Sequence, residues 1–328
     1  MPGYKVELIS QKTKEKLMKE IYSSDLFERK ASIHGTCIKL FTDSKEFRNM
    51  WDDNFEHMPE WIRPHARLFA VSGKRLRVRY EPISKTAIVE GCGYYGWIKS
   101  IALAIVADFM EDFTSEHRRY SVHGSFVDYG GRGAAVIGPS GSGKTTLTYG
   151  LMRSKGFHFL TDDWFFVRLV DDDILVFASE RNSYIRCNLG DVWPEFRKKL
   201  NGVKADSKNR AIVDVKRMLG TGKTRKNSTM EKVIILTREK DKPPLKKLST
   251  KAAMDFMLEN DFCNPHQMVR NKEKMRKRKE FFHSLFRRVP VYLLNTVETP
   301  EESLDRLKGL LIPRPRKGPS SGRQALPQ

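Results

Sequence analysis

Cysteine is scarce in this sequence, and the few cysteines form no motif. The four stand far apart, with no C-x-x-C pair, at Cys37, Cys92, Cys187 and Cys263. This spacing excludes a disulfide-stapled scaffold and a zinc site of the zinc-finger type. We expect four free thiols in a reducing compartment.

Long apolar runs are absent as well. The best one, Ile101–Val106, is far shorter than the roughly 20 residues that a membrane-spanning helix needs. The first residues of the chain also lack the pattern of a signal peptide. We therefore expect a cytoplasmic protein that does not associate with membranes.

Acidic residues are few relative to basic ones. The chain has 40 Asp and Glu against 60 Lys and Arg, which gives a formal net charge of +20 over 328 residues. A charge of this size attracts polyanions such as nucleic acids, nucleotides or acidic proteins. A thermophile-like composition explains only part of the excess, because such proteins are rich in Glu as well as Lys.

The sequence does contain a glycine-rich loop at 138–145, which fits the pattern G-x-x-x-x-G-K-[ST]. The residues before it, 134–137, predict a buried strand, and those after it predict a helix that Gly156 ends. In such a loop the backbone N–H groups hold a polyphosphate, the lysine (here Lys144) reaches the β- and γ-phosphates, and the hydroxyl (Thr145) can ligate Mg²⁺. We therefore predict ATP, or GTP, and Mg²⁺ as cofactors. The predicted nucleotide-binding residues are Gly138, Ser140, Gly141, Ser142, Gly143, Lys144, Thr145 and Thr146.

Two adjacent carboxylates, Asp162 and Asp163, follow the loop, between predicted strands at 157–160 and 164–169. Phosphoryl transfer needs one group to hold Mg²⁺ and another to accept the proton of the attacking hydroxyl. We assign Asp162 as the general base and Asp163 as the magnesium ligand, with the reverse assignment as an alternative. An aspartate-rich turn without chemistry is the simpler interpretation.

A histidine, His123, lies on the strand predicted over 121–129, which forms a hairpin with the strand before the glycine loop. A lone histidine on a strand is often structural. Its position beside Gly124, next to the strand that feeds the loop, makes it a candidate site residue as well.

These blocks together resemble the catalytic domain of HPr kinase/phosphorylase, a bacterial protein-serine kinase whose fold is shared with phosphoenolpyruvate carboxykinase. The resemblance consists of His123-Gly124, the loop with its helix, Asp162-Asp163, and a weaker block at 210–220. It implies that Lys144 and Thr145 bind phosphates and Mg²⁺, and that one aspartate is the base with His123 beside it. Asp206 and Lys208 stand where the family has a glutamate and an arginine. The regions outside about 120–222 do not resemble the family. The resemblance therefore implies the phosphoryl-transfer residues for this chain, and it does not imply the substrate HPr.

The fold class that follows is α/β, with an HPr-kinase/phosphoenolpyruvate-carboxykinase-like P-loop core. The predicted units are a small α+β N-terminal domain over 1–92, the P-loop domain with a mixed sheet over 93–312, and a disordered basic tail over 313–328. A helix over 94–110 connects the first two. We further predict that residues 1–32 are helical. The aromatic residues Tyr94, Tyr95 and Trp97 either anchor the connecting helix or offer a surface for base stacking.

Three segments of the second half have open interpretations. The polar stretch 201–210 is a loop and a candidate lid over the nucleotide. Asn264 is predicted to cap a helix that starts at Pro265, with a substrate contact by Asn264, His266 or Arg270 as the alternative. The helix predicted over 272–288 combines an apolar stripe with many cations, so it is either a solvated basic face or a polyanion-binding surface.

The function that these features predict is a nucleotide-dependent kinase. Its catalytic residues would be Asp162, His123 and Lys144, and its acceptor the hydroxyl of a protein serine or a small molecule. The alternative is a nucleotide-regulated nucleic-acid-binding protein, or a kinase acting on an RNA or nucleotide hydroxyl through helix 272–288. A homo-oligomer is also compatible with the sequence.

Overall fold

The computed structural model describes residues 3–113 and 119–313. Two mixed β-sheets and a separate two-stranded ladder organise this part of the chain. The predicted α/β class with a mixed sheet is confirmed. The predicted tail lies outside the described residues except for Pro313. None of the described helices combines the length and the apolar character needed to cross a bilayer.

The first sheet is built from the N-terminal part of the chain. Its strands are β1 (Val6–Leu8), β2 (Phe27–Ile33), β3 (Thr36–Thr42), β4 (Glu56–His57), β5 (Ala66–Val71), β6 (Arg77–Glu81) and β7 (Thr86–Glu90). They lie in the order β1-β6-β7-β5-β3-β2-β4. The helices of this region are α1 (Gln11–Ile21), α2 (Lys45–Asn54) and α3 (Tyr95–Asp112).

The prediction of a helical segment over 1–32 is wrong outside α1. Residues 27–33 form β2 because they pair antiparallel with β3. The reversal between these strands uses His34 and Gly35, whose φ angles are 52° and 80°. The isolated segment shows too few apolar positions to reveal this pairing, which buries Ala31 and Ile33 only once β3 is in place.

The second sheet carries the glycine loop. Its strands are β8 (Arg119–His123), β9 (Ser125–Tyr129), β10 (Arg132–Ile137), β11 (Phe157–Thr161), β12 (Trp164–Val170), β13 (Asp173–Ala178), β16 (Asn227–Thr237), β17 (Leu245–Leu248) and β18 (Val291–Asn295), and the separate ladder pairs β14 (Asn182–Arg186) with β15 (Arg210–Asp214). The remaining α-helices are α4 (Lys144–Met152), α5 (Leu189–Val192), α6 (Arg197–Leu200), α7 (Val215–Leu219), α8 (Thr250–Glu259), α9 (Lys272–Arg288) and α10 (Pro300–Leu311).

The long strand β16 fixes where the glycine loop lies. It runs parallel to β10 along most of its length and parallel to β18 over its second half. The carboxyl ends of these three strands therefore meet at one edge of the sheet. There the Thr296 hydroxyl donates to the carbonyl oxygens of Ser142, at 2.9 Å, and Thr237, at 3.1 Å. This clamp ties the loop to the ends of β16 and β18.

Helix α3 packs between the two sheets. Most of its residues are buried, in keeping with the apolar run that it contains. Ile98 and Ile101 belong to one hydrophobic cluster with residues of the first sheet and with Trp164 and Phe166 of β12. The helix thus packs against residues of both sheets. The division into domains over 1–92 and 93–312, with 94–110 as the connecting helix, stays a prediction.

Candidate active site

The glycine loop joins β10 to α4 with the backbone geometry that its sequence predicts. Gly141 and Gly143 have φ angles of 84° and 96°, in the left-handed region that favours glycine. Gly143 is the N-cap of α4, and no described side chain caps the helix there. The first N–H groups of a nine-residue helix are therefore left for a ligand, and the helix dipole favours an anion at this end.

Two further observations fit this loop to a polyphosphate. The Nζ of Lys144 donates to the carbonyl oxygens of Gly138, at 2.6 Å, and Pro139, at 3.0 Å, so the ammonium is held over the loop. Within the described part of the chain the Ser142 hydroxyl is buried without a hydrogen-bond partner. A Cβ added at Gly138 would lie 2.6 Å from that hydroxyl and 2.8 Å from the backbone oxygen of Leu236, so only glycine fits. The residues present fit a nucleotide phosphate.

His123 and Asp163 meet because β8 and β12 are paired. In the register of these strands Trp164 lies opposite His123, and the Gly124 N–H donates to the Asp163 carbonyl at 2.9 Å. The Nε2 of His123 is 3.1 Å from the Asp163 carboxylate. Its Nδ1 is 2.7 Å from the carbonyl oxygen of Cys263. These two contacts, one at each ring nitrogen, fix the orientation of the imidazole beside Asp163.

A second cation, Lys99 of α3, also contacts Asp163. Its ammonium forms an ion pair with that carboxylate and lies 3.0 Å from the carboxylate of Glu180. The Lys99 side chain is only 2% exposed, so its charge is stabilised by these two acids rather than by water. Sequence reasoning missed both residues. A lysine between the apolar residues Ile98 and Ile101 was the available signal.

The two aspartates have opposite electrostatics. Burial opposes the charge of Asp163, but Lys99 and His123 outweigh it and hold the pKa of this carboxyl well below its usual range. Burial, together with the neighbouring charge of Asp163, raises the pKa of Asp162 to about 6. The Asp162 carboxylate accepts a hydrogen bond of 2.9 Å from the Ser183 hydroxyl. Asp162 can therefore exchange a proton near neutral pH, whereas Asp163 stays ionised.

Tyr4, from the start of the chain, is connected to His123 through His266. The rings of His123 and His266 are 6.2 Å apart, and the Nδ1 of His266 is hydrogen-bonded to the Tyr4 hydroxyl at 2.7 Å. Burial, assisted by His123, lowers the pKa of His266 to about 3, so this ring is neutral. Tyr4 carried no sequence signal, because its role depends on the packing of the chain terminus against a segment 262 residues away.

The predicted helix start at Asn264 and Pro265 is wrong. The segment opens with a short 3₁₀ turn, Asp261–Cys263, whose three residues all have left-handed φ angles of 50° to 53°. Asn264 follows this turn in extended conformation, and its side chain accepts from the His266 N–H at 3.1 Å. This irregular backbone aims the carbonyl of Cys263 at His123.

The candidate lid, 201–210, is anchored by Asp206. Its carboxylate accepts from the backbone N–H groups of Lys208 and Arg210, at 2.9 and 3.0 Å, and from the Arg210 side chain at 3.0 Å. The Lys208 ammonium lies 4.5 and 4.4 Å from the ring centroids of Tyr94 and Trp97. The aromatic cluster is thus divided, with Tyr95 in the core and the other two rings beside the lid. Its role as a base-stacking surface stays a prediction.

The sequence predicts that the cations of α9 lie on a solvated or polyanion-binding face. This prediction is wrong for two of them. Lys274 and Arg278 are buried, since their side chains are only 5% and 9% exposed. The Lys274 Nζ is 2.9 Å from Asp108, and Arg278 pairs with Glu111 at 3.0 Å. Lys85 completes this cluster at 2.5 Å from Asp108. These ion pairs join α9 to α3 and to the turn that precedes β7. Their burial keeps Lys274 and Arg278 from contacting a polyanion.

Metal ligation stays a prediction for Thr145 and Asp163. The described residues contain no group of three or more His, Cys, Asp or Glu side chains arranged to hold a metal ion. Thr145 lies in the first turn of α4, as the motif requires. A magnesium ion that is held mainly by nucleotide phosphates needs only one or two protein ligands, so this finding agrees with the prediction without testing it.

The arrangement is that of an α/β protein in which a glycine loop joins β10 to α4 and a carboxylate pair stands between β11 and β12. HPr kinase/phosphorylase of Chlorobium phaeovibrioides is 35% identical over 119 residues, which are 36% of this chain and 33% of that protein. The protein of the same name from Chlorobium limicola is 34% identical over 116 residues, 35% of this chain and 32% of that protein. Over that segment the chain is a divergent HPr-kinase-like sequence.

The chain thus aligns with about a third of the length of the curated relatives that it matches, 33% and 32%. No family model matches it. The solved Hpr(Ser) kinase/phosphatase from Coxiella burnetii covers 58% of this chain and 96% of its own, at 15% identity and a TM-score of 0.34. The relationship therefore depends on the sequence matches.

Proposed function

We propose that this protein is a nucleotide-dependent kinase that transfers the γ-phosphate of ATP or GTP to a hydroxyl group. The observation that carries the proposal is one electrostatic network that includes the P-loop lysine and the carboxylate pair. Burial lowers the pKa of Lys144, while the charges of Asp163 and Asp162 act on it in the opposite direction. The charges of the loop lysine and of the two aspartates thus influence one another, which supports one site that combines phosphate binding with proton transfer.

Each residue has a role in this mechanism. The nucleotide and Mg²⁺, when bound, supply the γ-phosphate and neutralise its charge. Lys144 holds the phosphate oxygens against the N-terminus of α4. Asp162 takes the proton of the acceptor hydroxyl as its oxygen bonds to the γ-phosphorus, and the bond to the departing nucleoside diphosphate breaks with its electron pair on that product. Asp163, oriented by His123 and Lys99, provides the permanent negative charge that a magnesium ligand needs.

The acceptor and the setting are part of the same proposal. A protein serine or a small molecule suits an aspartate base, because an alcohol nucleophile needs its proton removed. The four cysteines are all free, which supports a reducing, cytoplasmic location. The names of the relatives support a kinase. The nucleic-acid alternative is weaker, because Lys274 and Arg278 are buried in ion pairs. Self-association stays a prediction.

The Asp162→Asn variant tests the proton acceptor. Wild-type protein incubated with γ-labelled ATP, Mg²⁺ and a cell extract should label an acceptor, and the variant should lose at least about a hundredfold in rate, since general base catalysis contributes that much. The wild-type rate should rise with pH around the Asp162 pKa of about 6, because only the ionised form accepts a proton. Asp172→Asn, an exposed aspartate on the β12–β13 turn, is the matched control. A protein that binds nucleotide but never labels an acceptor would be a nucleotide-regulated binding module instead.

The Asp163→Asn variant tests the magnesium ligand. We expect the affinity for nucleotide to fall in the presence of Mg²⁺ and to change little in EDTA, because the lost carboxylate acts through the metal. Nucleotide titration by calorimetry under both conditions measures this difference. If Asp162→Asn showed that loss and Asp163→Asn lost only rate, the two roles would have to be exchanged.

A further inference from the structure

A second cationic site lies across one tyrosine ring from the carboxylate pair. The guanidinium of Arg210 is 5.4 Å from the centroid of the Tyr184 ring, and the Lys99 ammonium is 4.8 Å from the same ring. Lys99 in turn contacts Asp163. Arg210 therefore stands beside the proposed phosphoryl-transfer site without belonging to it.

Two nitrogens of the Arg210 guanidinium remain available as hydrogen-bond donors. Its Nε is bonded to Asp206, whose carboxylate is already shared with two backbone N–H groups and the Tyr94 hydroxyl. Among the described residues its two terminal nitrogens contact no acceptor other than the rings of Tyr94 and Tyr184. A guanidinium presents these nitrogens as a fork that matches a carboxylate or phosphate.

The surroundings of Arg210 keep this fork in place and open. A Cβ at Gly96 would come within 2.7 Å of its terminal nitrogen, so glycine allows the guanidinium to lie against α3. The side chain is 29% exposed, which leaves its tip accessible to a solute. Burial of the rest of the side chain lowers the pKa of Arg210 to about 10. A bound anion would therefore stabilise the charged guanidinium.

Lys208 adds a second cation beside the Tyr94 ring, which Arg210 also contacts. Its ammonium is 4.5 Å from the Tyr94 centroid, and the Arg210 guanidinium is 5.1 Å from it. In the part of the chain that the structure describes, the carboxylate paired with Arg210 is that of Asp206, and its oxygens already accept from the Tyr94 hydroxyl and two backbone N–H groups. The aromatic walls and the two charges form a compact anion subsite on the lid.

We propose that Arg210 and Lys208 bind an anionic group of the acceptor, which is therefore a small hydroxyl compound with its own carboxylate or phosphate. The inference rests on the proposed kinase function. Arg210 and Lys99 contact the same Tyr184 ring, and Lys99 contacts Asp163, so the subsite lies close to the carboxylate pair, which suits a single small molecule. A protein serine would not require this subsite.

Calorimetry on the full chain, with a non-hydrolysable ATP analogue and Mg²⁺ occupying the P-loop, tests the subsite. The probes are glycerol 3-phosphate, glycerate and, as the uncharged match, glycerol. We expect both anions to bind and glycerol not to bind. Arg210→Met should weaken the anions by about tenfold or more, because a charge-assisted bidentate contact is lost. Arg210→Lys should be intermediate, and Lys204→Met, an exposed cation of the same loop, should change nothing.

The proposal is overturned if glycerol binds as well as the anions, or if Arg210→Met and Lys204→Met behave alike. Displacement of glycerol 3-phosphate by an uncharged serine peptide would overturn it too. Thermal unfolding checks each variant, and the exposed Lys208→Met replaces Arg210→Met should the latter not fold. If the nucleotide analogue does not bind at all, the kinase function fails. The comparison of the anion affinities of the variants still decides the subsite, since it needs no nucleotide.

Discussion

Replacement of Lys144 by methionine should lower phosphoryl transfer by about a hundredfold to a thousandfold, the cost of removing one preorganised group that stabilises developing charge. Lys144 is the only cation of the loop 138–145. Its ammonium is already held by the carbonyls of Gly138 and Pro139, at 2.6 and 3.0 Å, so little reorganisation is needed when a phosphate arrives. Methionine keeps most of the length of the side chain and removes the charge.

The measurement is the initial rate of label transfer at saturating nucleotide. Lys155→Met, an exposed lysine just after α4, is the control and should keep the wild-type rate. Thermal unfolding should change little in Lys144→Met, since within the described residues the hydrogen bonds of its ammonium go to the loop carbonyls of Gly138 and Pro139. Full activity in this variant would refute the P-loop mechanism.

Replacement of Lys99 by methionine should destabilise the fold by about 3–5 kcal/mol at pH 8, as expected when one partner of a buried ion pair is removed. At that pH the carboxylates of Asp163 and Glu180 are ionised, and Lys99 is the buried cation between them. Methionine fills the space between α3 and β12 but leaves the two negative charges with less compensation.

The loss should be smaller at pH 5, and the sign follows from the pKa values. Burial raises the pKa of Glu180 to about 7, against the opposing charge of Lys99. Removal of Lys99 takes away the charge that opposes this rise, so the pKa of Glu180 in the folded variant lies further above its unfolded value, and stability falls more steeply with rising pH than in the wild type. In the wild type, Asp163 contributes in the other direction. Its pKa is depressed, so its contribution is present above the unfolded value of about 3.9 and is lost as the pH falls below that value.

Urea unfolding of both proteins at pH 5 and pH 8 measures these differences. The double variant Lys99→Met with Glu180→Gln should recover part of the stability at pH 8, because one uncompensated carboxylate is gone. The acid limb of the pH–rate profile should also move upward in Lys99→Met, since Lys99 lowers the pKa of Asp162. Equal losses at both pH values, with an unmoved acid limb, would leave Lys99 with a packing role only.

Much of the candidate site could be predicted from the sequence because its signals are local. A glycine loop between a strand and a helix needs particular residues at fixed spacing, and residues 138–145 provide them. The position of Asp162 and Asp163 between two strands follows from the apolar runs on either side. The hairpin of β9 and β10 follows from the glycines between the strands.

The errors arose where local signals were weak or misleading. Residues 27–33 look polar enough for a helix, and only pairing with β3 makes them a strand. Asn264 before Pro265 has the sequence of a helix start, yet the preceding left-handed turn carries the chain elsewhere. The cations of α9 suggested a free basic surface, but two of them are buried against the acids of α3.

The sequence by itself therefore determined the glycine loop between a strand and a helix, the position of the aspartate pair and the mixed α/β character, since each depends on backbone geometry and side-chain period over a few residues. The tertiary structure alone decided which charges meet. Lys99 and Asp163 are 64 positions apart, and Lys274 and Asp108 are 166 apart. An ion pair at such a separation exists only when two elements pack with one particular pair of faces, and the charges have no periodicity that records this choice. That packing gives Asp162 and Asp163 their different pKa values, and with them the roles that we propose.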